Sequence, residues 1–447
     1  MNTLEAYIAR HATLQPDKLA IVCGSDRCTY ADLQNRIESR AAELKAELLL
    51  PDSDSAPIVP FRAVSTTDFL VTYFALHRLG LVAAPLERDM PEEAFQRISA
   101  ELTAHRCPSG TADVLYTTGT TGHSKGVMVS HKVILANAEN LIAGQGFTPD
   151  LHFVVNGPLN HIGSLSKVYP VMLLGATLII VDGLKDLNAF FNAFTEHHKF
   201  ATFLVPASTR ILLQFASDRL AVLADRIDFI ETGAAAMAQT DMEALCRLLP
   251  KSRLYNTYAS TETGIICTHN FNSNLCTPGC LGRPMPHSGV HITDTGHIAC
   301  TGDTLMTGYV GELDRTVQVL RDGVLYTSDL GTIDGKGRLH LQGREDDVIN
   351  VGGFKVAPTE VEDAAMSHPS VADCICISVD HKITGKALKL LVAVKEGEVL
   401  DKRALAQHLR GRLETFKVPM LYEQVESVRR TFNGKPDRKS YIWDFAK

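Results

Sequence analysis

Residues 115–127 read LYTTGTTGHSKGV. An apolar run suited to a buried strand leads into a segment with three glycines, Gly119, Gly122 and Gly126. Four threonines, Thr117, Thr118, Thr120 and Thr121, are interleaved, and Lys125 follows. Glycine lets backbone N–H groups turn onto an anion without obstruction by a Cβ. Threonine hydroxyls add donors, and the lysine supplies positive charge. The stretch therefore predicts a strand running into a phosphate-holding loop. It is not the GxxxxGK[ST] loop, because Gly126 stands where Ser or Thr should follow the lysine.

The pattern around this stretch alternates helix and strand. Leu4, Ile8, His11 and Ala12 sit at helical spacing, and residues 30–48 and 69–79 read as helices. Residues 19–23, 81–86, 178–181, 203–205, 229–231 and 253–256 read as short buried strands. Such alternation predicts an α/β fold with parallel-rich sheets flanked by helices. The 15 residues between Ile98 and Val114 leave no room for a further strand–helix unit. After Gly282, Asp-Gly, Thr-Gly and Gly-Lys-Gly turns mark a small antiparallel β region.

Past Arg344 the texture changes again. Helices are expected at 360–366 and 405–413, and strands at 374–379 and 390–394. This predicts a large multi-subdomain body, residues 1–345, and a small mobile α+β domain, residues 346–447. From Asp347 onward there are 16 basic and 14 acidic residues, against 28 and 37 before it, so a mildly basic unit sits beside an acidic body.

Composition narrows the function. The net charge of −7 gives no electrostatic reason to bind nucleic acid, and a single Trp disfavours a base-stacking platform. The apolar run 168–181 contains Pro170 and Gly175 and is too short to span a bilayer. No signal-peptide stretch is visible and the ten cysteines form no compact framework, so a cytoplasmic protein is expected. Cys267, Cys276, Cys280 and Cys300 lie near His269, His287, His291 and His297, but without the paired Cys-x-x-Cys spacing of a zinc site.

The glycine–threonine loop resembles the phosphate loop of the acyl-adenylate-forming superfamily, which comprises acyl- and aryl-CoA synthetases, peptide-synthetase adenylation domains and luciferase. Ser124 replaces the usual Pro. Five further strings follow in the order of that family. Residues 231–237, ETGAAAM, resemble the segment along adenine and the bound carboxylate, with Gly233-Ala234-Ala235-Ala236 where Gly-Ala-Pro-Leu is usual. Residues 255–264, YNTYASTETG, resemble its Tyr-Gly-x-Thr-Glu motif, with Ala259 for the usual Gly. Residues 326–331, YTSDLG, present Asp329. Residues 343–363, GREDDVINVGGFKVAPTEVED, are similar to the hinge motif. Residues 431–441, TFNGKPDRKSY, resemble the terminal motif, with Pro436 for the usual aliphatic residue.

The resemblance implies an ATP-dependent acid–CoA ligase using Mg²⁺. Thr117, Thr118, Gly119, Thr120, Thr121, Gly122 and Lys125 would hold phosphates, and Gly233, Ala234, Ala235, Asn256 and Tyr258 would frame the adenine. Thr261 would meet the α-phosphate, Glu262 would hold the metal, and Asp329 would accept the ribose hydroxyls. Arg344 would contact ribose or phosphate. Lys435 is implied as the catalytic lysine and His161 as a gate over the carboxylate. Asp346 is implied as the pivot, bringing Gly352, Gly353, Phe354 and Lys355 to the thiol. No Asp occurs in Asn160-His161-Ile162-Gly163, which disfavours an amino acid as substrate. Fatty, aryl and succinylbenzoate-like acids stay open. Lys167, on the same expected helix, reads as a solvated surface charge, with a second substrate carboxylate as its alternative partner. Two other readings stand: a stand-alone adenylation enzyme loading the phosphopantetheine of an acyl carrier protein, and a non-catalytic nucleotide-binding regulator.

Overall fold

The structure is a computed structural model that describes residues 2–48, 55–118, 124–194, 199–273, 277–381, 385–431, 436–438 and 440–441. Its helices start where local chemistry caps them. Thr29 and Asp32 form a reciprocal capping box before the helix Tyr30–Glu47. Asp401 accepts from the backbone N–H groups of Arg403 and Ala404, which starts the last long helix at Lys402–Arg410, three residues earlier than apolar spacing suggests. The strand expected at 203–205 is Phe200–Leu204, because Pro206 opens a helix immediately afterwards.

The described residues of the body form two sheets. In the larger, six strands run parallel in the order Arg253–Ser260, Ile227–Thr232, Phe200–Leu204, His152–Val155, Thr177–Ile180 and Leu19–Cys23. The strand Arg253–Ser260 then pairs antiparallel with Gly264–Asn270, and the sheet continues as antiparallel ribbons built from residues after 280. The second sheet has the order Gly308–Tyr309, Ser124–Ser130, Thr111–Thr118, Val82–Glu87, Ser55–Ala63 and Arg106–Pro108. The short strand Arg106–Pro108 is all that lies between the helix Glu92–Thr103 and the strand Thr111–Thr118. Helices Tyr30–Glu47, Thr67–Arg78, His131–Gln145 and Ile162–Leu174 contribute their buried faces to one core with strands of both sheets.

One feature of the parallel run places the site. His152–Val155 and Phe200–Leu204 are neighbours, but the chain leaving the first goes to Thr177–Ile180 on one side and the chain leaving the second goes to Ile227–Thr232 on the other. Open α/β sheets bind ligands at the carboxyl ends of strands where the order reverses in this way. Asn156, just past the first strand, donates to the Phe203 carbonyl at 3.0 Å and to Thr202 Oγ1 at 2.9 Å, tying the two ends together.

Residues beyond 348 have their own core, which includes Ile349, Val361, Cys376, Leu390 and Leu409. It comprises the hairpin Ile349–Val351 and Phe354–Val356, the helix Pro358–Met366, the helix Lys402–Arg410, and the strands Val371–His381, Gly385–Val394 and Leu421–Gln424. This is the expected α/β body with a smaller α+β unit. Arg210 of the body touches Asp373 of the small unit, where Arg430 Nη2 also donates at 2.6 Å.

Candidate functional site

The strand Thr111–Thr118 pairs antiparallel with Ser124–Ser130, so Thr117 stands opposite Lys125. Gly119, Thr120, Thr121 and Gly122 lie outside the described residues, as does Lys435, and Thr118 is described by its backbone alone. Gly126 is set by packing: a Cβ there would come within 2.9 Å of Val114 Cγ1 and 3.3 Å of Val310 Cγ2. Lys125 is half-buried, with its ammonium 4.9 Å from the centre of the Tyr309 ring. Burial, helped by the nearby charges of Arg315 and Arg344, holds that ammonium below its ordinary pKa; Glu262 and Glu312 oppose the shift.

Glu262 sits in the turn between Arg253–Ser260 and Gly264–Asn270. Ser260 and Thr263 lock this turn reciprocally, each hydroxyl accepting from the other's backbone N–H at 3.0 Å. Thr261 and Glu262 are presented between them. The Tyr309 hydroxyl donates to Glu262 Oε1 at 3.1 Å, so one tyrosine bridges Lys125 and Glu262. No motif singles out Tyr309. Its short strand pairs with Ser124–Ser130 across 180 residues of chain, a contact that local pattern does not encode.

Asp329 lies on the strand Val324–Ile333, directly opposite Arg344 on Leu339–Arg344. The Tyr258 hydroxyl donates to Asp329 Oδ2 at 2.7 Å. Arg344 Nε is 3.1 Å from Asp329 Oδ1 but its N–H is not aimed to form a hydrogen bond, while Nη2 donates to Ser328 Oγ at 2.9 Å. Tyr258 is buried, and burial raises its hydroxyl pKa far above the ordinary value. Asn256 is buried as well and directs its amide to the Cys280 carbonyl at 3.4 Å.

Gly233 follows the strand Ile227–Thr232, and a Cβ there would lie 3.0 Å from the Thr257 carbonyl oxygen. Ala234 is exposed with φ +67°, a left-handed conformation that a residue with a Cβ seldom adopts, and Ala235 is half-buried beside it. His161 is half-buried at the start of the helix Ile162–Leu174, with Nε2 3.4 Å from Asn160 Nδ2. Lys167, on that helix, is no solvated charge. It is 1% exposed and its ammonium bonds Glu231 Oε1, also 1% exposed, at 2.7 Å. The helix is buried on nearly every side from Ser164 to Met172, so no polar face exists for the lysine to occupy.

Asp346 is exposed in the 3-10 turn Glu345–Asp347. Gly352 and Gly353 form the hairpin turn after it, with φ +57° and +95°, and Gly353 N–H donates to Asn350 Oδ1 at 2.8 Å. Phe354 and Lys355 are exposed, and Phe354 stacks on Phe416 with ring centres 4.6 Å apart.

Lys125, Glu262, Asp329 and Arg344 thus meet around the strand Arg253–Ser260, where the large sheet changes from parallel to antiparallel. Comparison with known proteins identifies the family. The model of the AMP-binding enzymes matches residues 8–107 and 103–313, and that of the AMP-binding enzyme C-terminal domain matches 360–435. A feruloyl-CoA synthase of Amycolatopsis is 27% identical over 97% of both chains. An indoleacetate–CoA ligase of Aromatoleum aromaticum is 27% identical over 97% of this chain and 96% of its own. ATP-bound MatB of Rhodopseudomonas palustris shares the fold, with TM-score 0.87 at 24% identity over 99% of this chain and 98% of its own. The chain belongs to the AMP-binding enzymes. Its class is the ATP-dependent, AMP-forming acid–thiol ligases of acyl-CoA synthetase type.

Proposed function

We propose that the chain activates a carboxylic acid with ATP as an acyl-adenylate, then transfers the acyl group to the thiol of CoA. The carrying observation is the convergence of Lys125, Glu262, Asp329 and Arg344, from four separate segments, at the edge of one strand. In the first step a carboxylate oxygen attacks the α-phosphorus and the bond to the pyrophosphate oxygen breaks. In the second the thiol sulfur attacks the acyl carbon, AMP leaves, and the thiol proton passes to solvent.

Two anions must approach each other in the first step, so the residues needed are cations and donors aimed at phosphate. Lys125 and the threonines of the loop bind the phosphates, Asp329 accepts from the ribose hydroxyls, and Arg344 neutralises charge. Lys435 stabilises the charge that develops between carboxylate and α-phosphate, and His161 closes over the carboxylate. Glu262 offers a half-buried carboxylate, a hard oxygen donor that suits Mg²⁺. When bound there, Mg²⁺ screens the triphosphate.

The body, 1–345, and the small domain, 346–447, then move relative to each other about Asp346. Lys435 leaves, and the exposed turn Gly352-Gly353 with Phe354 and Lys355 faces the pantetheine thiol. Hinges of this kind concentrate a large backbone change in a few residues. No helix among the described residues is long and apolar enough to cross a membrane, and the proposed setting is the cytoplasm.

A coupled assay of AMP release with acid, ATP and CoA tests the reading. AMP and a CoA thioester are expected with CoA as the only acceptor. AMP that appears only when a phosphopantetheinyl carrier protein is supplied would replace this reading with the carrier-loading one. Absence of acid-dependent ATP–pyrophosphate exchange would favour a nucleotide-binding regulator.

A further inference from the structure

Given the acid–CoA ligase reading, on which this inference rests, the choice of acid falls to the corner where the parallel strands reverse order. Gly163 and Lys167 are one turn apart on the helix Ile162–Leu174 and share a face. A Cβ at Gly163 would come 3.1 Å from Phe203 Cε1, and Lys167 Nζ lies 5.1 Å from the centre of the same ring. A Cβ at Gly233 would lie 3.7 Å from Phe203 Cε2. Glu231 is two residues before Gly233, hence on the same face of the chain. Phe203, Lys167 and Glu231 therefore adjoin the Gly233-Ala234-Ala235 segment and the His161 helix start.

The corner is unusual in what it leaves undone. Glu231 Oε2, and Asn160 Oδ1 just before the helix start, are buried, and neither has a hydrogen-bond partner. A buried carboxylate oxygen without a donor costs free energy, and a native fold keeps few of them without a reason. Glu231 Oε2 and Asn160 Oδ1 can only accept, so what they lack is a donor. An alkyl tail supplies none. A second carboxylate brings more acceptors and a negative charge against Glu231, whose own charge Lys167 already balances. A substrate ammonium would meet Lys167. A neutral hydroxyl donates to the carboxylate oxygen and leaves the ion pair intact.

We propose that the buried Lys167–Glu231 pair, with Phe203, forms the specificity-determining floor of the acid pocket, and that it selects carboxylic acids bearing a neutral hydroxyl at the end away from the reacting carboxyl. Glu231 Oε2 accepts that hydroxyl's proton in a hydrogen bond. Lys167 is the positioning residue that orients Glu231 through its 2.7 Å bond to Oε1. Burial pulls the Lys167 ammonium below its ordinary pKa while Glu231 opposes this, and the ring of Phe203 favours the charged form.

Acid-dependent ATP–pyrophosphate exchange by the full chain tests the proposal, with matched pairs: para-hydroxycinnamate and cinnamate, para-hydroxybenzoate and benzoate, ω-hydroxyhexanoate and hexanoate, and hexanedioate as the diacid. In at least one pair the hydroxylated acid is expected to have the higher kcat/KM, by about a hundredfold or more, as for sites built to bond a substrate hydroxyl. The double variant Lys167→Met/Glu231→Leu removes both charges without leaving one unpaired, and should bring the ratio of kcat/KM for hydroxylated over unsubstituted acid down to about one. Should the double variant not fold, the wild-type ratios decide alone. Equal or better exchange with the unsubstituted acids or the diacid, or a preference that survives the double variant, would overturn the proposal and leave the ligase reading standing. No exchange with any acid would defeat the ligase reading, and the proposal with it.

Discussion

Two clusters of buried charge lie in the body, and they are built on opposite principles. In the first, His77 Nδ1 contacts Glu5 Oε1 and Nε2 contacts Asp113 Oδ1, each at 2.9 Å. Tyr73 donates to Asp113 Oδ2 at 2.9 Å. Both ring nitrogens face carboxylates, so both donate and the imidazole carries a positive charge. The hydrogen bonds from His77 to Asp113 and Glu5 outweigh the opposing effect of burial and raise its pKa to about 10. This cluster ties the helices Leu4–Leu14 and Thr67–Arg78 to the strand Thr111–Thr118, and none of these side chains has an unpartnered buried atom. In the second, Lys167 and Glu231 are buried just as deeply, yet Glu231 Oε2 has no hydrogen-bond partner. A closed network holds the fold, whereas an incomplete one at a strand end is where a ligand completes the bonding.

The largest expected effect is on the closed cluster. His77→Ala leaves Glu5 and Asp113 buried without their cation, and urea denaturation should show a loss of about 3–5 kcal/mol. A loss below about 1 kcal/mol would mean that water reaches the cluster. The pair at Lys167 should behave differently in a double-mutant cycle. Lys167→Met alone should cost about 3 kcal/mol, and adding Glu231→Leu should recover most of it, because replacing a whole buried pair by apolar groups is often close to neutral. Additive losses would contradict a pair that acts as a unit.

A charge belonging to neither cluster provides a reference. Lys435→Ala should slow adenylation by about a hundredfold or more with stability unchanged, while thioester formation from supplied acyl-adenylate is spared. Equal loss in both steps would contradict the two-arrangement scheme. The pH dependence separates the clusters further. The folded value of His77, about 10, lies above its ordinary 6.5, so its stabilising contribution is complete below pH 6.5 and disappears as pH rises to about 10. Stability should therefore fall across that window, by at most about 1.4 kcal/mol per pH unit, and His77→Gln should flatten the slope. Gly353→Leu should have the smallest effect, roughly a tenfold loss in thioester formation with adenylation retained. The turn has open space for a side chain, but its φ of +95° strains one. Poor adenylation with normal transfer would reverse the assignment of that face.

The strings that carry the nucleotide-binding residues are legible because each is contiguous: the glycine–threonine loop, the 255–264 turn and the hinge segment all announce themselves locally. The alternation of strand and helix is legible for the same reason. What the sequence conceals comes from long-range packing. Tyr309 joins Lys125 to Glu262 through a two-residue strand with no pattern of its own. Gly126 reads as part of an anion loop, yet its position is set by Val114 and Val310. Lys167 reads as a surface charge because a helix buried all round offers no periodicity to tell a paired core lysine from an exposed one, and its partner Glu231 lies 64 residues away.

The contrast between the closed and the incomplete cluster meets its most direct test in a single ratio: kcat/KM for a hydroxylated acid over its unsubstituted partner, measured in wild type, in Lys167→Met/Glu231→Leu and in His77→Gln. The ratio is expected to collapse in the double variant and to keep its wild-type value in His77→Gln, whatever that variant loses in stability. A ratio that moves equally in both, or in neither, would contradict the assignment of substrate recognition to the Lys167–Glu231 corner.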